Sequence, residues 1–137
     1  MGIFDLFRSR RKKRDEGYDF MAQMEAMINE AKEREGTTEE VLSQGQGEFG
    51  FSPNNPIPFS SVGASRKYLE RLVFIQPGSS DYRWVRSGSV RSEIVSTPVD
   101  KYDLLDREEM IIKTIYIWSY NKVDSERAPA GFGLMDK

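Results

Sequence analysis

The residues of this chain that most directly suggest chemistry are Gly45-Gln46-Gly47-Glu48-Phe49-Gly50, which match the spacing G-x-G-x-x-G. In a dinucleotide site that spacing follows a strand and opens a helix, so that a pyrophosphate rests on the helix N-terminus. Here Ser52-Pro53-Asn54-Asn55-Pro56 follows, and two prolines with two asparagines prevent a helix from starting there. The motif therefore reads as a loop, and no nucleotide or other cofactor is expected. A second candidate is the acidic stretch Asp100, Asp103, Asp106, Glu108 and Glu109. It lacks the alternating acids and central glycine of a calcium loop and reads as the flanks of a solvated turn. Paired carboxylates can also support glycoside or phosphate chemistry, but nothing in this spacing selects either.

The chain contains no cysteine and no histidine. That excludes disulfides, thiolate nucleophiles, a Ser-His-Asp triad and imidazole or thiolate metal sites. Any catalysis would fall to Asp, Glu, Lys, Arg, Ser or Tyr, and no catalytic or metal-binding residue is assigned. A third constellation sets Arg66, Lys67, Arg71, Arg83, Arg86 and Arg91 near Tyr68, Tyr82 and Trp84. Cations interleaved with aromatics suit single-stranded nucleic acid. Residues 49–137 nevertheless carry twelve basic against eleven acidic groups, so the broad positive footprint of a nucleic-acid binder is missing. A protein partner is the better expectation, met by Asn55, Pro56, Ile57, Tyr68, Tyr82, Trp84 and Arg86.

Charge is segregated along the chain. Residues 1–14 hold Arg8, Arg10, Arg11, Lys12, Lys13 and Arg14 against Asp5, whereas residues 15–48 hold ten acids against Lys32 and Arg34. The basic cluster follows the apolar residues Ile3, Phe4, Leu6 and Phe7, a combination that can hold a protein on an anionic bilayer. The alternative for residues 1–14 is a disordered, solvated tail. Leu6 stands where a myristoylation signal has Ser or Thr. No apolar run approaches the roughly 18 residues of a membrane span. The expected location is cytoplasmic, with peripheral association at the inner face of the membrane as the alternative.

The elements that must position these residues follow from periodicity. Phe20, Met21, Met24, Met27, Ile28 and Ala31 recur at spacings of three and four, predicting an amphipathic helix over Tyr18–Arg34. Such a methionine-rich stripe serves either as core or as an adaptable partner face. Thr37-Thr38-Glu39-Glu40 has capping-box form and predicts one or two further helical turns. Three glycines and three prolines between Gln44 and Pro58 make an irregular connector, with Phe49 and Phe51 touching the domain. Strands are predicted over Lys67–Ile75, Tyr82–Arg86 with a break at Gly88, and Val90–Val95. A hairpin Val99–Leu105/Met110–Tyr120 turns through Asp106–Glu109. In its second strand Met110, Ile112, Tyr116 and Trp118 point one way and Ile111, Ile115 and Ile117 the other, so that strand is covered on both faces. The residues after Arg127 are expected to be extended along the sheet. The organisation expected is a basic tail (1–14), a helical segment (15–44), a connector (45–58) and a β-rich domain (59–137). The fold class is α+β: a mainly antiparallel sheet of four or five strands with the N-terminal amphipathic helix packed on it.

The glycine-phenylalanine loop at 45–50, the turn Asn55-Pro56-Ile57-Pro58, Trp84, Arg86, Gly88 and Ser89, and the closing Arg127-Ala128-Pro129-Ala130-Gly131-Phe132 together resemble small bacterial proteins with a compact β-rich domain. The resemblance covers residues 45–132 and implies a fold, with no activity attached. These readings point to a non-enzymatic interaction or accessory protein of a bacterium or its phage. The alternatives are a peripheral membrane module held by residues 1–14 and a carboxylate-based enzyme, which would need an Asp or Glu desolvated in a deep pocket. A homo-oligomer is compatible with all three.

Overall fold

A computed structural model describes residues 3–75 and 82–136, with side chains described from Asp19 onward. The class is α+β. Helix α1 (Ile3–Glu35) is followed by β1 (Ile57–Pro58), α2 (Val62–Arg71), β2 (Leu72–Phe74), β3 (Arg83–Val90), β4 (Val99–Leu105), β5 (Ile111–Trp118) and β6 (Phe132–Leu134). Four strands form one sheet in the order β1-β5-β4-β3, antiparallel except for the short parallel pair β1–β5. Strands β2 and β6 form a separate antiparallel ribbon.

The predicted hairpin forms as β4 and β5, and its alternation explains the core. Ile115 and Ile117 are fully buried on one face with Ile57, Phe59, Tyr102 and Leu104. Trp118 is buried on the other with Val99 and Leu42, and Tyr116 packs beside it. Coverage on both sides holds only for the C-terminal half, because Met110, Ile111 and Ile112 are exposed. Gly88 sits at φ +148° where the β3–β4 register shifts, so the expected break is a bulge.

The cover on the first face corrects the prediction for Lys67–Ile75. Only its end is strand; Val62–Arg71 is helical. Ala64, Tyr68, Leu69 and Leu72 repeat at helical spacing, and Ser61 caps the start by accepting a hydrogen bond from the Ala64 N–H at 3.1 Å. Tyr68 and Leu69 then lie in the core, with the Tyr68 ring edge-on to Phe59 at 4.8 Å. The second face is covered by loops. Strand β3 stops at Val90, so the predicted strand Val90–Val95 does not form. Asn54 Oδ1 instead accepts from the Glu93 N–H at 2.8 Å and holds this segment as a loop with Ile94 and Val95 against the core.

Helix α1 contains the predicted helix and extends it at both ends, so the backbone of the expected tail is helical from Ile3. Its stripe is not the cover that was expected. Phe20, Met21, Met24, Met27 and Ile28 are 37–72% exposed, and only Ala31 is buried. The helix is tied to the body at its C-terminal end, where Glu35 accepts from the Ser96 N–H at 2.7 Å and the Thr97 hydroxyl at 3.3 Å. No capping box follows. Thr37 gives its N–H and hydroxyl to Asn121 Oδ1 at 2.6 and 3.0 Å, and the chain runs on without helix to Gly45. The Asn121 amide nitrogen donates to the carbonyls of Glu39 and Val123, so this fully buried side chain uses both its ends. Among the described residues no helix is long and apolar enough to cross a membrane.

Candidate binding cleft

Two hollows flank α2. The one near its start is lined by Ser61, Tyr68, Arg71, Asp124 and Glu126, whose polar atoms are already engaged. Ser61 caps the helix, the Tyr68 hydroxyl donates to the Arg127 carbonyl at 2.6 Å, Asp124 accepts from the Ser60 N–H, and Arg71 pairs with Glu126 at 3.0 Å. Burial holds the Tyr68 phenol far above its ordinary pKa, Arg71 opposing and Glu126 adding to the shift. Lys67 and Glu70, both exposed, are the charged groups this hollow still offers a ligand.

The other hollow is a cleft of about 490 Å³ between α2, the β2–β6 ribbon and strands β3 and β4. Its position follows from the topology. β3 is an edge strand of the main sheet, and the space between its side chains, those of β4 and the ribbon is walled by aromatic rings. Phe74 lies 5.2 Å from Tyr82 and 4.4 Å from Phe132, and Trp84 lies 6.3 Å from Phe132. Tyr82, Trp84 and Phe74 are half-buried, so each keeps surface for a ligand. Arg66, Arg83 and Arg86 are exposed around the same cleft, and among the described residues Glu70 is the one carboxylate in its lining. Arg86 donates to Asp100 at 2.9 Å, and this hydrogen bond and charge raise its pKa further, against a small desolvation cost. Arg83 pairs with Glu109. Arg66 has no acidic partner among the described residues. Tyr102, opposite Arg86 in the β3–β4 register, lines the cleft, and its buried hydroxyl has no hydrogen-bond partner among the described residues. A buried hydroxyl without a partner costs free energy that a ligand atom can recover.

Of the residues expected to meet a partner, Tyr82, Trp84 and Arg86 come together here. Asn55, Pro56, Ile57 and Tyr68 do not, because all four are buried. The Asn55 amide donates to the Gly47 carbonyl at 2.9 Å, Ile57 is a core residue, and Tyr68 belongs to the inner face of α2. The proline-rich turn is thus an internal fastener rather than a rim. Phe74, Tyr102 and Phe132 complete the cleft and were not singled out by the sequence. Ribbon pairing of Phe74 with Phe132 brings residues 58 positions apart together, which no local pattern reports. The nearest signal is Gly131, whose φ of +83° turns the chain into β6.

The other motifs resolve structurally. In the glycine loop the N–H groups of Gly45, Gln46, Gly50 and Phe51 donate to the Leu42, Asn54, Asn55 and Glu48 carbonyls. Gly47 and Gly50 take φ of +91° and +81°, which explains two of its glycines. In the acidic stretch Asp100 pairs with Arg86, Asp103 accepts from Thr114, Asp106 accepts from the Glu108 and Met110 N–H groups, and Glu109 pairs with Arg83. No cluster of potential metal ligands occurs among the described residues. The membrane-binding candidates Ile3, Phe4, Leu6, Phe7, Arg8, Arg10, Arg11, Lys12, Lys13 and Arg14 lie outside the residues whose side chains are described. Comparison of the chain with protein-family models, curated proteins and solved structures found no match.

Proposed function

We propose that this chain is a non-enzymatic interaction module whose cleft receives an acidic segment of a protein partner bearing an aromatic or large aliphatic side chain. The observation carrying this reading is the juxtaposition of half-buried Tyr82, Trp84 and Phe74 with the exposed Arg66. The rings offer a slot for an apolar side chain at low entropic cost, and the guanidinium offers a carboxylate its planar partner. A peptide fits better than a nucleic acid. Arg83 and Arg86 are already neutralised by Glu109 and Asp100, so the cleft has too few uncompensated cations to track a row of phosphates.

The test is selection of a random displayed peptide library on the full chain. Acidic sequences containing Phe, Trp, Tyr or Leu should be enriched, and their binding should be lost with Trp84→Ala and weakened with Arg66→Glu. Peptides indifferent to both substitutions, or binding only by mixed-sequence single-stranded oligonucleotides, would overturn the proposal. Binding can be followed by the fluorescence of Trp84, because the other tryptophan, Trp118, is fully buried in the core.

A further inference from the structure

An exposed apolar stripe lies on α1, away from the cleft. Phe20, Met21, Met24 and Met27 are 46–72% exposed within eight consecutive positions of a continuous helix. Isolated exposed apolar residues are ordinary, but a contiguous stripe of four large ones on a helix marks a contact. The helix carries 33 residues, about 50 Å at 1.5 Å per residue. Among the described residues no other element covers this stripe.

What covers the stripe is indicated by charge. Along this one helix the sequence changes sign: six basic residues stand against one acidic over residues 1–14, and seven acidic against two basic over residues 15–35. Laying stripe on stripe in two copies would bring acidic segment against acidic segment. Offsetting two antiparallel copies instead sets residues 3–14 of each along residues 15–26 of the other. The apolar residue types at 3, 4, 6 and 7 then stand in register with the Phe20–Met24 region, and Arg10–Arg14 with Asp15, Glu16 and Asp19. An anionic membrane suits the basic end alone. It would repel Asp19, Glu25 and Glu30, which flank the exposed stripe.

We infer that α1 is a self-association element: two copies of this chain pair antiparallel through their first helices, basic segment on acidic segment, and hold two cleft-bearing domains at opposite ends. The inference is independent of what the cleft binds. The pairing is two-fold symmetric, so each copy contributes both halves of the contact and the assembly closes at two.

The test is sedimentation equilibrium of the full chain with two charge-reversed variants. Variant one carries Arg10→Glu, Arg11→Glu, Lys12→Glu and Lys13→Glu. Variant two carries Asp15→Lys, Glu16→Lys and Asp19→Lys. The unaltered chain should be a dimer whose dissociation constant rises roughly tenfold from low to high salt, as screening predicts for exposed charges. Each variant alone should be monomeric, and their equimolar mixture should restore a dimer. Circular dichroism of each variant checks that the domain remains folded. A monomeric unaltered chain at low salt, a mixture that stays monomeric, or a dimer that survives both reversals would overturn the inference. So would a monomer that sediments with phosphatidylserine vesicles through residues 1–14, which would assign the helix to a membrane surface.

Discussion

Helices α1 and α2 have opposite fates. α1 carries the more legible apolar stripe, with Phe20, Met21, Met24, Met27 and Ile28 at regular spacing, and leaves it exposed. α2 is ten residues long, reads poorly as a helix because Arg66, Lys67, Glu70 and Arg71 crowd its few apolar positions, and supplies Tyr68 and Leu69 to the core. Periodicity shows that a face is apolar; it does not show what the face meets. α2 is joined directly to β2 and preceded closely by β1, so short connections leave it nowhere to pack but on the sheet. α1 is separated from β1 by residues 36–56, and its described ties to the body are the buried Ala31 and the hydrogen bonds of Arg34 and Glu35 at its C-terminal end.

The sharpest way to break this comparison is to truncate one residue in each helix. Tyr68→Ala should destabilise the domain by about 4 kcal/mol, because it removes a buried ring packed edge-on against Phe59 and leaves a cavity. Met24→Ala should change the unfolding free energy by no more than about 0.5 kcal/mol, as for an exposed position. Urea denaturation followed through Trp118 measures both, and comparable losses would mean that α1 packs on the domain after all. Next in size, Asn121→Ala should cost about 2–3 kcal/mol, since the half-buried Thr37 N–H and the carbonyls of Glu39 and Val123 lose their fully buried partner together. The same variant should raise hydrogen exchange at residues 36–42, loosening the junction between α1 and the body.

A smaller effect tests the capping of α2. Ser61→Ala should cost about 1 kcal/mol in the same denaturation experiment, by freeing the Ala64 N–H. The smallest is a pH dependence at the end of α1. Burial alone would raise the Glu35 pKa, but hydrogen bonds from Ser96 and Thr97 and the charge of Arg34 outweigh it, and the carboxyl lies below its ordinary value. A depressed carboxyl stabilises the fold fully above the unfolded-state pKa, roughly 4.3, and that contribution is lost as pH falls through the folded-state value. The difference in Tm between the unaltered chain and Glu35→Gln should therefore shrink on acidification. A difference that stays constant down to about pH 3 would show that the carboxylate contributes nothing as an anion.

Much of the main sheet was legible. The hairpin β4–β5, the bulge at Gly88 and the opposed burial of Ile115 and Ile117 against Tyr116 and Trp118 follow from alternation, which is a property of the strand itself. The cleft was legible in part, because Tyr82, Trp84 and Arg86 share one strand end and one face. Phe74, Phe132 and Tyr102 were not, because the ribbon that brings Phe74 to Phe132 is three residues long on each side and leaves almost no local pattern. The loop Gly45–Asn55 was read correctly as a loop but its asparagine was misplaced at the surface. Asn55 is polar, and only the folded loop shows that its amide is spent on the Gly47 carbonyl.

By itself the sequence determined the chemistry that is excluded, the α+β class, the pairing partners within the hairpin and the reversal of charge along the first helix. These depend on residue identity and on periods of two or three to four residues, which are local. Tertiary structure alone decided that α2 rather than α1 covers the sheet, that Asn55–Ile57 is interior, and that an aromatic cleft opens beside β3. Each of those depends on contacts between segments distant in sequence, whose outcome is set by chain connectivity and competition for the same buried face.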